Sequence, residues 1–176
     1  MRRTLPHRFR AMLGLGLACT LAGPAVAQGD VTDPTENLPH VEAAGLLAAA
    51  STCIAASNGD AVEVDRFVQD GWTKVELTGP DGAPLDLPVS FLSRAAGDPL
   101  VVIAAGEGAP PACMPMGVIA AGEAAVQATF AEAFGPGQTD GDAAIYMQGA
   151  NLIALEFEED DEQGLIARVA VVQPGD

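Results

Sequence analysis

The chain has 176 residues, with 24 acidic residues against only eight lysines and arginines, and its net charge is −16 at pH 7. Nucleic acids and anionic lipid surfaces are bound through clustered Lys and Arg, so this composition excludes nucleic acid as a partner. The length is sufficient for one domain with a hydrophobic core of its own.

Residues 1–27 have the three parts of an export signal. Four arginines lie within residues 1–10, residues 11–21 are apolar but too few to span a bilayer, and residues 25–27 (Ala-Val-Ala) form a small-x-small cleavage site. We therefore predict a signal peptide at residues 1–27 and a mature protein that is in the bacterial periplasm or secreted. Lipid attachment through Cys19 is the alternative. It is disfavoured because Gly16 stands where a leucine normally precedes a lipidated cysteine.

Removal of this segment makes the protein more acidic. All four arginines of the signal leave and no acidic residue does, so four basic residues remain against 24 acidic ones, a net charge of 4 − 24 = −20. Such a surface keeps an exported protein hydrated and attracts cations. We expect the partner to be a cationic protein or peptide of the cell envelope, and we expect no integral membrane segment after signal removal.

Residues 28–40 are polar, contain Pro34 and Pro39 and show no hydrophobic periodicity, which predicts a flexible leader. A single domain is predicted over residues 41–174, because proline and glycine are scattered through turns instead of collected in one linker.

The first helix of this domain is indicated by apolar residues at three- and four-residue steps from Leu46 to Ser57. Asn58 and Gly59 then supply a helix stop. This spacing places Cys53 on the buried face of the helix.

A second, shorter helix is predicted directly afterwards. Asp60 followed by Glu63 has the spacing of a capping box, and Val64, Phe67 and Val68 form an apolar stripe behind it. The two helices are predicted to pack as an N-terminal helical hairpin.

A β-hairpin is predicted next. Residues 72–77 alternate between apolar and polar, residues 79–82 (Gly-Pro-Asp-Gly) form a strong turn signal, and Leu85, Leu87 and Val89 resume the alternation. Residues 90–99 are ambiguous and suit one helical turn. Two short apolar runs, residues 100–103 and 116–120, are typical of central strands.

The second half of the chain adds a helix and three strands. Apolar residues repeat at four-residue steps through residues 122–134 and a Gly-Pro-Gly sequence follows, which predicts a helix with a sharp end. Strands are predicted at residues 145–147, 152–157 and 165–172, the last two joined by a hairpin loop at 158–164. The order of elements predicts an α+β fold, in which an antiparallel β-sheet carries the helical hairpin and one further helix.

The mature chain has two cysteines, Cys53 and Cys113. An even pair in an oxidising compartment is most simply a disulfide, and no Cys-x-x-Cys motif or nearby histidine favours a redox or metal site instead. We therefore predict one disulfide, which would join the first helix to the sheet.

Residues for covalent catalysis are scarce. The only mature histidine is His40, at the end of the leader, and the only mature lysine, Lys74, is predicted on the outer side of a strand. There is no Gly-x-Ser-x-Gly motif, and the glycines at 106 and 108 are followed by Pro110 and Pro111 where a dinucleotide-binding helix would begin. No catalytic residue and no organic cofactor is predicted.

Calcium is the one metal that the sequence leaves open, because hard cations take carboxylate oxygens. Six acids crowd one predicted hairpin: Glu156, Glu158, Glu159, Asp160, Asp161 and Glu162. Asp140 and Asp142 form a second, smaller pair.

The sequence therefore favours an exported, acidic, non-catalytic binding or accessory protein that recognises a cationic partner. The alternatives are a carboxylate-dependent hydrolase of glycans or esters and a calcium-binding module. A glycan hydrolase normally has aromatic rings on which sugars stack, and the polar-tipped aromatics here are Trp72 and Tyr146.

Overall fold

The fold is taken from a computed structural model of the chain. It describes residue 35 and residues 37–79, 81–104 and 110–173. The predicted signal at residues 1–27, Cys19 and the glycine pair at 106 and 108 lie outside the described residues.

The helices of the described residues are α1 (Ala43–Ala56), α2 (Val64–Gln69) and α3 (Glu123–Phe134). The strands are β1 (His40–Val41), β2 (Thr73–Val75), β3 (Val89–Ser93), β4 (Leu100–Ala104), β5 (Ala112–Ile119), β6 (Gln138–Asp140), β7 (Ala143–Gln148), β8 (Asn151–Asp160) and β9 (Gly164–Val172).

All of these strands belong to one sheet, with the order β2-β3-β4-β5-β9-β8-β7-β6. Every neighbouring pair in this order is antiparallel, and β1 adds a short parallel pairing to β5. Tight turns join successive strands in the second half, where Gly141 and Gly149 take positive φ angles of 60° and 61° that other residues rarely adopt. The predicted α+β class with an antiparallel sheet is confirmed.

The helices pack on one face of the sheet. Residues of α1 and α3 that are fully buried, such as Leu46, Cys53 and Phe130, share one core cluster with alternate residues of the strands, such as Ile153 and Val169. Successive side chains of a strand point to opposite faces, so the intervening residues belong to the other side. We call that other side of the sheet the second face.

The second face has its own, smaller apolar cluster. Its buried members are Leu38, Leu100, Val102, Met116, Val118 and Ile166, with Val89, Phe91 and Met114 packed against them. None of these residues belongs to a helix of the described chain. Leu38 alone comes from outside the sheet.

The predicted disulfide between Cys53 and Cys113 is present. Both residues are fully buried and their Cα atoms are 5.7 Å apart. The bond links the last turn of α1 to the beginning of β5, across 60 residues of sequence. It therefore holds the first helix on the sheet, as predicted.

The second helix differs from the prediction in two respects. Its N-cap is Glu63, without a side-chain capping bond, so the predicted capping box that begins at Asp60 is wrong. Phe67 is fully buried and Val64 packs against the same core, but Val68 is 53% exposed. The packing of α1 and α2 as a hairpin stays a prediction.

The first β-hairpin is present but its second strand lies later than predicted. β2 pairs antiparallel with Val89–Ser93, whereas Leu85 and Leu87 precede that strand and are 38% and 43% exposed. The strand begins later because residues 77–85 form a hydrogen-bonded loop. In this loop Leu85 N–H donates to the Leu77 carbonyl and Gly79 N–H donates to the Ala83 carbonyl. The helical turn considered for residues 90–99 is wrong over Ser90–Ser93, which are part of β3.

The residues before α1 cross from one face of the sheet to the other. Leu38 packs on the second face, and its N–H donates to Gln163 Oε1 at 2.8 Å. Pro39 then accepts a backbone hydrogen bond from Val118 N–H at 2.9 Å, and Val41 lies in the helix-side core. Gly117 permits this crossing, because a Cβ there would lie 2.7 Å from both Val41 methyl carbons.

Candidate functional site

Acidic side chains converge on the second face at the end of the sheet formed by β6, β7 and β8. The register pairs Glu156 with Arg168 and Glu158 with Ile166, and it places Asp140 opposite Ala143. Together these strands border a groove of about 420 Å³. We call this cavity the acidic groove; its charged lining residues are Asp140, Asp142, Glu156, Glu158 and Arg168.

Among the described residues, Arg168 is the only basic side chain that lines the groove. It forms an ion pair with Glu158, and both side chains are about half exposed, at 44% and 54%. Exposed pairs of this kind contribute little to stability, but this one neutralises one carboxylate of the groove. Asp140, Asp142 and Glu156 keep an excess of negative charge there.

A second cavity, of about 570 Å³, lies on the other side of Arg168. Leu38, Asp160, Glu162 and Gln163 are among its lining residues. The two cavities therefore form one acidic region that extends along the second face from β6 to the β8–β9 turn.

Asp160 has a structural role in that turn. Its Oδ1 accepts the N–H of Gln163 at 2.8 Å and the N–H of Glu162 at 2.9 Å. These two backbone donors, that of Gln163 first, lower the pKa of Asp160 from its ordinary value because they favour the charged carboxylate. The strand reaches Asp160, so the loop predicted from residue 158 is confined to residues 161–163.

The structure separates the predicted calcium ligands. Glu156 and Glu158 lie on the second face, Glu159 alternates to the opposite face, and Asp161 and Glu162 belong to the turn. Glu158 is paired with Arg168 and Asp160 with backbone amides. Within the described ranges, no three His, Cys, Asp or Glu side chains are grouped closely enough to hold a metal ion.

Sequence reasoning missed the convergence of two acidic segments. It treated Asp140 and Asp142 as a pair separate from the acids of residues 156–162, but both segments line the acidic groove. The sequence signal for this convergence was the alternation of side chains along β7 and β8. Together with the β7–β8 register, this alternation places Ala143 and Glu156 on the same face of the sheet.

Removal of the Asp160 charge tests the role of that turn. Because the folded-state pKa of Asp160 is lowered, its stabilising contribution is present above the unfolded value of about 4 and is lost as pH falls through the folded value. At pH 7 we expect Asp160→Asn to unfold at a lower urea concentration than the wild type. In acid we expect the two proteins to unfold at the same urea concentration. Urea unfolding curves between pH 7 and pH 2 measure this.

Asp161→Asn is the matched control for that experiment. It removes one negative charge from the same turn, but the carboxylate that accepts the two amides is that of Asp160. We expect Asp161→Asn to change stability little at any pH. Equal pH dependence in the two variants would contradict the role given to Asp160.

The other polar residues considered from the sequence lie elsewhere. His40 and Lys74 are exposed on β1 and on the edge strand β2. Trp72 is buried against Phe67, with the Arg94 guanidinium 5.0 Å from its ring centre. Tyr146 is buried and its hydroxyl donates to the Gln127 carbonyl at 3.3 Å. Both aromatic rings are thus part of the helix-side core.

The described helices give no candidate for a membrane span, since none combines the required length with sufficient apolarity. The fold and site define an α+β protein with one disulfide and an acidic groove on the sheet face that carries no described helix. The chain matches no family model, no curated protein and no solved structure.

Proposed function

We propose that this chain is an exported, non-catalytic accessory protein of the periplasm that binds a cationic partner. The acidic groove is the observation that carries the proposal. Asp140, Asp142 and Glu156 line it in excess over Arg168, which is already paired with Glu158. A concave surface of one charge sign attracts ligands of the opposite sign and speeds their association.

Two further observations support export. The sequence of residues 1–27 has the parts of a signal peptide. The Cys53–Cys113 disulfide belongs to a class of bond that persists in oxidising compartments and is rare in the cytosol. The carboxylate-dependent hydrolase and the calcium-binding module stay predictions from the sequence.

The location is tested by cell fractionation followed by N-terminal sequencing. The protein is expected in the periplasmic fraction or the medium, with Gln28 as its first residue. A product that keeps its N-terminal arginines and remains in the cytoplasm would exclude the proposed location, and a lipid on Cys19 would favour the anchored alternative.

The interaction is tested by affinity capture from envelope extract at low and at high salt. We expect a basic protein to be retained at about 20 mM salt and released at about 0.5 M, since screening shortens the range of the attraction. Asp140→Asn combined with Glu156→Gln should reduce the capture. If no protein is retained in a salt-dependent way, the proposed function is wrong.

The matched control neutralises two acids on the opposite side of the molecule. Asp65 lies in the first turn of α2 and Asp70 is its C-cap, and this helix contributes Phe67 to the helix-side core. Asp65→Asn combined with Asp70→Asn changes the net charge by the same amount. We expect this variant to capture the partner as the wild type does, so that any loss is assigned to the groove and not to total charge.

A further inference from the structure

The second face carries two apolar rows that cross almost the whole sheet. In the first row the register pairs residues of six strands in turn: Val89, Ala104, Ala112, Val172, Leu152 and Met147. The second row lies two residues further along each strand, on the same face. It contains residues such as Phe91, Val102, Ala154 and Ile145. Within the strands that the structure describes, no charged side chain interrupts either row.

No helix of the described chain contributes to the apolar cluster on this face. Met147, at the end of the first row, is 55% exposed, and Leu87, just before the other end, is 43% exposed. The six buried residues of this cluster are only 3–7% exposed, whereas Val89, Phe91 and Ile145 in the rows are partly exposed. A partly exposed apolar face bordered by polar residues is typical of an interaction surface.

Charge changes along the strands of the same face. The third row lies nearer the β8–β9 turn. Across neighbouring strands it contains Leu100, Met116, Arg168 and then Glu156. The fourth row, nearer still to that turn, contains Val118, Ile166 and then Glu158 across neighbouring strands. The second face is therefore apolar at one end of its strands and acidic at the other, where the acidic groove lies.

We propose that the second face is the docking surface for a polypeptide segment of another protein that carries both apolar and basic side chains. This inference rests on the proposed function, because it specifies the cationic partner and the surface that the partner covers. The apolar side chains of such a segment would cover the rows, and its Lys or Arg side chains would reach the acidic groove. Charge complementarity favours it over a second copy of this acidic chain and over its own residues 28–34, which include Asp30 and Asp33.

The test uses the exported protein, purified after folding, and three synthetic peptides of equal length. One has a leucine-rich half followed by a lysine-rich half, one has serine in place of each leucine, and one has glutamate in place of each lysine. We expect the leucine–lysine peptide to bind at low salt, the serine–lysine peptide to bind about tenfold or more weakly, and the leucine–glutamate peptide not to bind. Fluorescence anisotropy measures all three affinities.

Substitutions at two apolar residues of nearly equal exposure test whether apolar side chains of the second face contribute to peptide binding. Met147 is 55% exposed on this face, and Val68 is 53% exposed on α2, on the other side of the sheet. We expect Met147→Asn to weaken binding of the leucine–lysine peptide about tenfold and Val68→Asn to leave it unchanged. Equal effects of the two substitutions would overturn the proposal.

The outcomes separate this inference from the proposed function. If both lysine peptides bind equally, the protein recognises cations but the apolar rows are not used, and only this inference is overturned. If neither lysine peptide binds at low salt, cationic recognition fails, and the inference fails with it.

A photo-reactive residue identifies the occupant directly. Phe91→p-benzoylphenylalanine places the reactive group on the second face, and mass spectrometry locates the cross-linked residues. A cross-link to the leucine–lysine peptide supports the proposal. A cross-link to residues 28–34 of the same chain, or to a second copy, overturns it.

Discussion

Joint replacement of Cys53 and Cys113 by alanine is expected to lower the free energy of unfolding by about 4 kcal/mol. The bond closes a loop of 60 residues, and its loss restores the conformational freedom of that loop in the unfolded chain. Since domains are stable by only about 5–15 kcal/mol, this is a large part of the total. Urea unfolding curves of the variant and of the oxidised wild type measure the difference.

Reduction of the wild type provides the control for that experiment. Cys53 and Cys113 are both fully buried, so we expect a reductant to reach them only when the protein unfolds. Wild-type protein that is reduced in denaturant and refolded under reducing conditions should unfold at the same urea concentration as the double variant. A double variant that loses less than about 1 kcal/mol would contradict the loop-closure argument.

Gly117→Ala is expected to destabilise the protein by about 3 kcal/mol, near the upper end of the range for overpacked sites. The added Cβ would lie 2.7 Å from both methyl carbons of Val41 and 2.9 Å from the Pro39 carbonyl oxygen. Val41 is itself buried, and Pro39 accepts a hydrogen bond from Val118, so neither neighbour can move without loss. Thermal and urea unfolding measure the change.

Gly45→Ala is the matched control, with an expected effect of opposite sign. Gly45 lies in α1, and its added Cβ would meet only Gly97 and Pro99 atoms, at 3.8 and 3.9 Å, which is ordinary contact distance. Alanine is favoured over glycine in a helix, so we expect a gain of about 0.5 kcal/mol. If both substitutions destabilise equally, the close approach at Gly117 is not the cause.

The helices were the most predictable elements. The apolar periodicity of α1 and α3 and the glycines after them marked both helices closely. The prediction of α2 failed in detail, because a helix of six residues offers too few turns for its buried face to be read from periodicity. Val64 and Phe67 lie on the side that packs against the core.

An uninterrupted apolar run located β4, which is buried on both faces, but β3 was misplaced. In β3, Phe91 and Leu92 are adjacent apolar residues that face opposite clusters, so no alternation marks the strand. The acidic groove was beyond prediction for a different reason. Its residues Asp140 and Glu156 belong to different strands, and their proximity depends on the register of β7 between them.

The position of β5 in the sheet sets an order on folding. β4 precedes it directly, but its other neighbour, β9, comes only after α3 and three further strands. While the chain emerges from its N-terminal end, one edge of β5 therefore stays unpaired until β9 is available. Contacts between such distant segments form slowly. The two halves of the sheet can join only late, so we expect the emerging chain to remain incompletely folded until β9 is available.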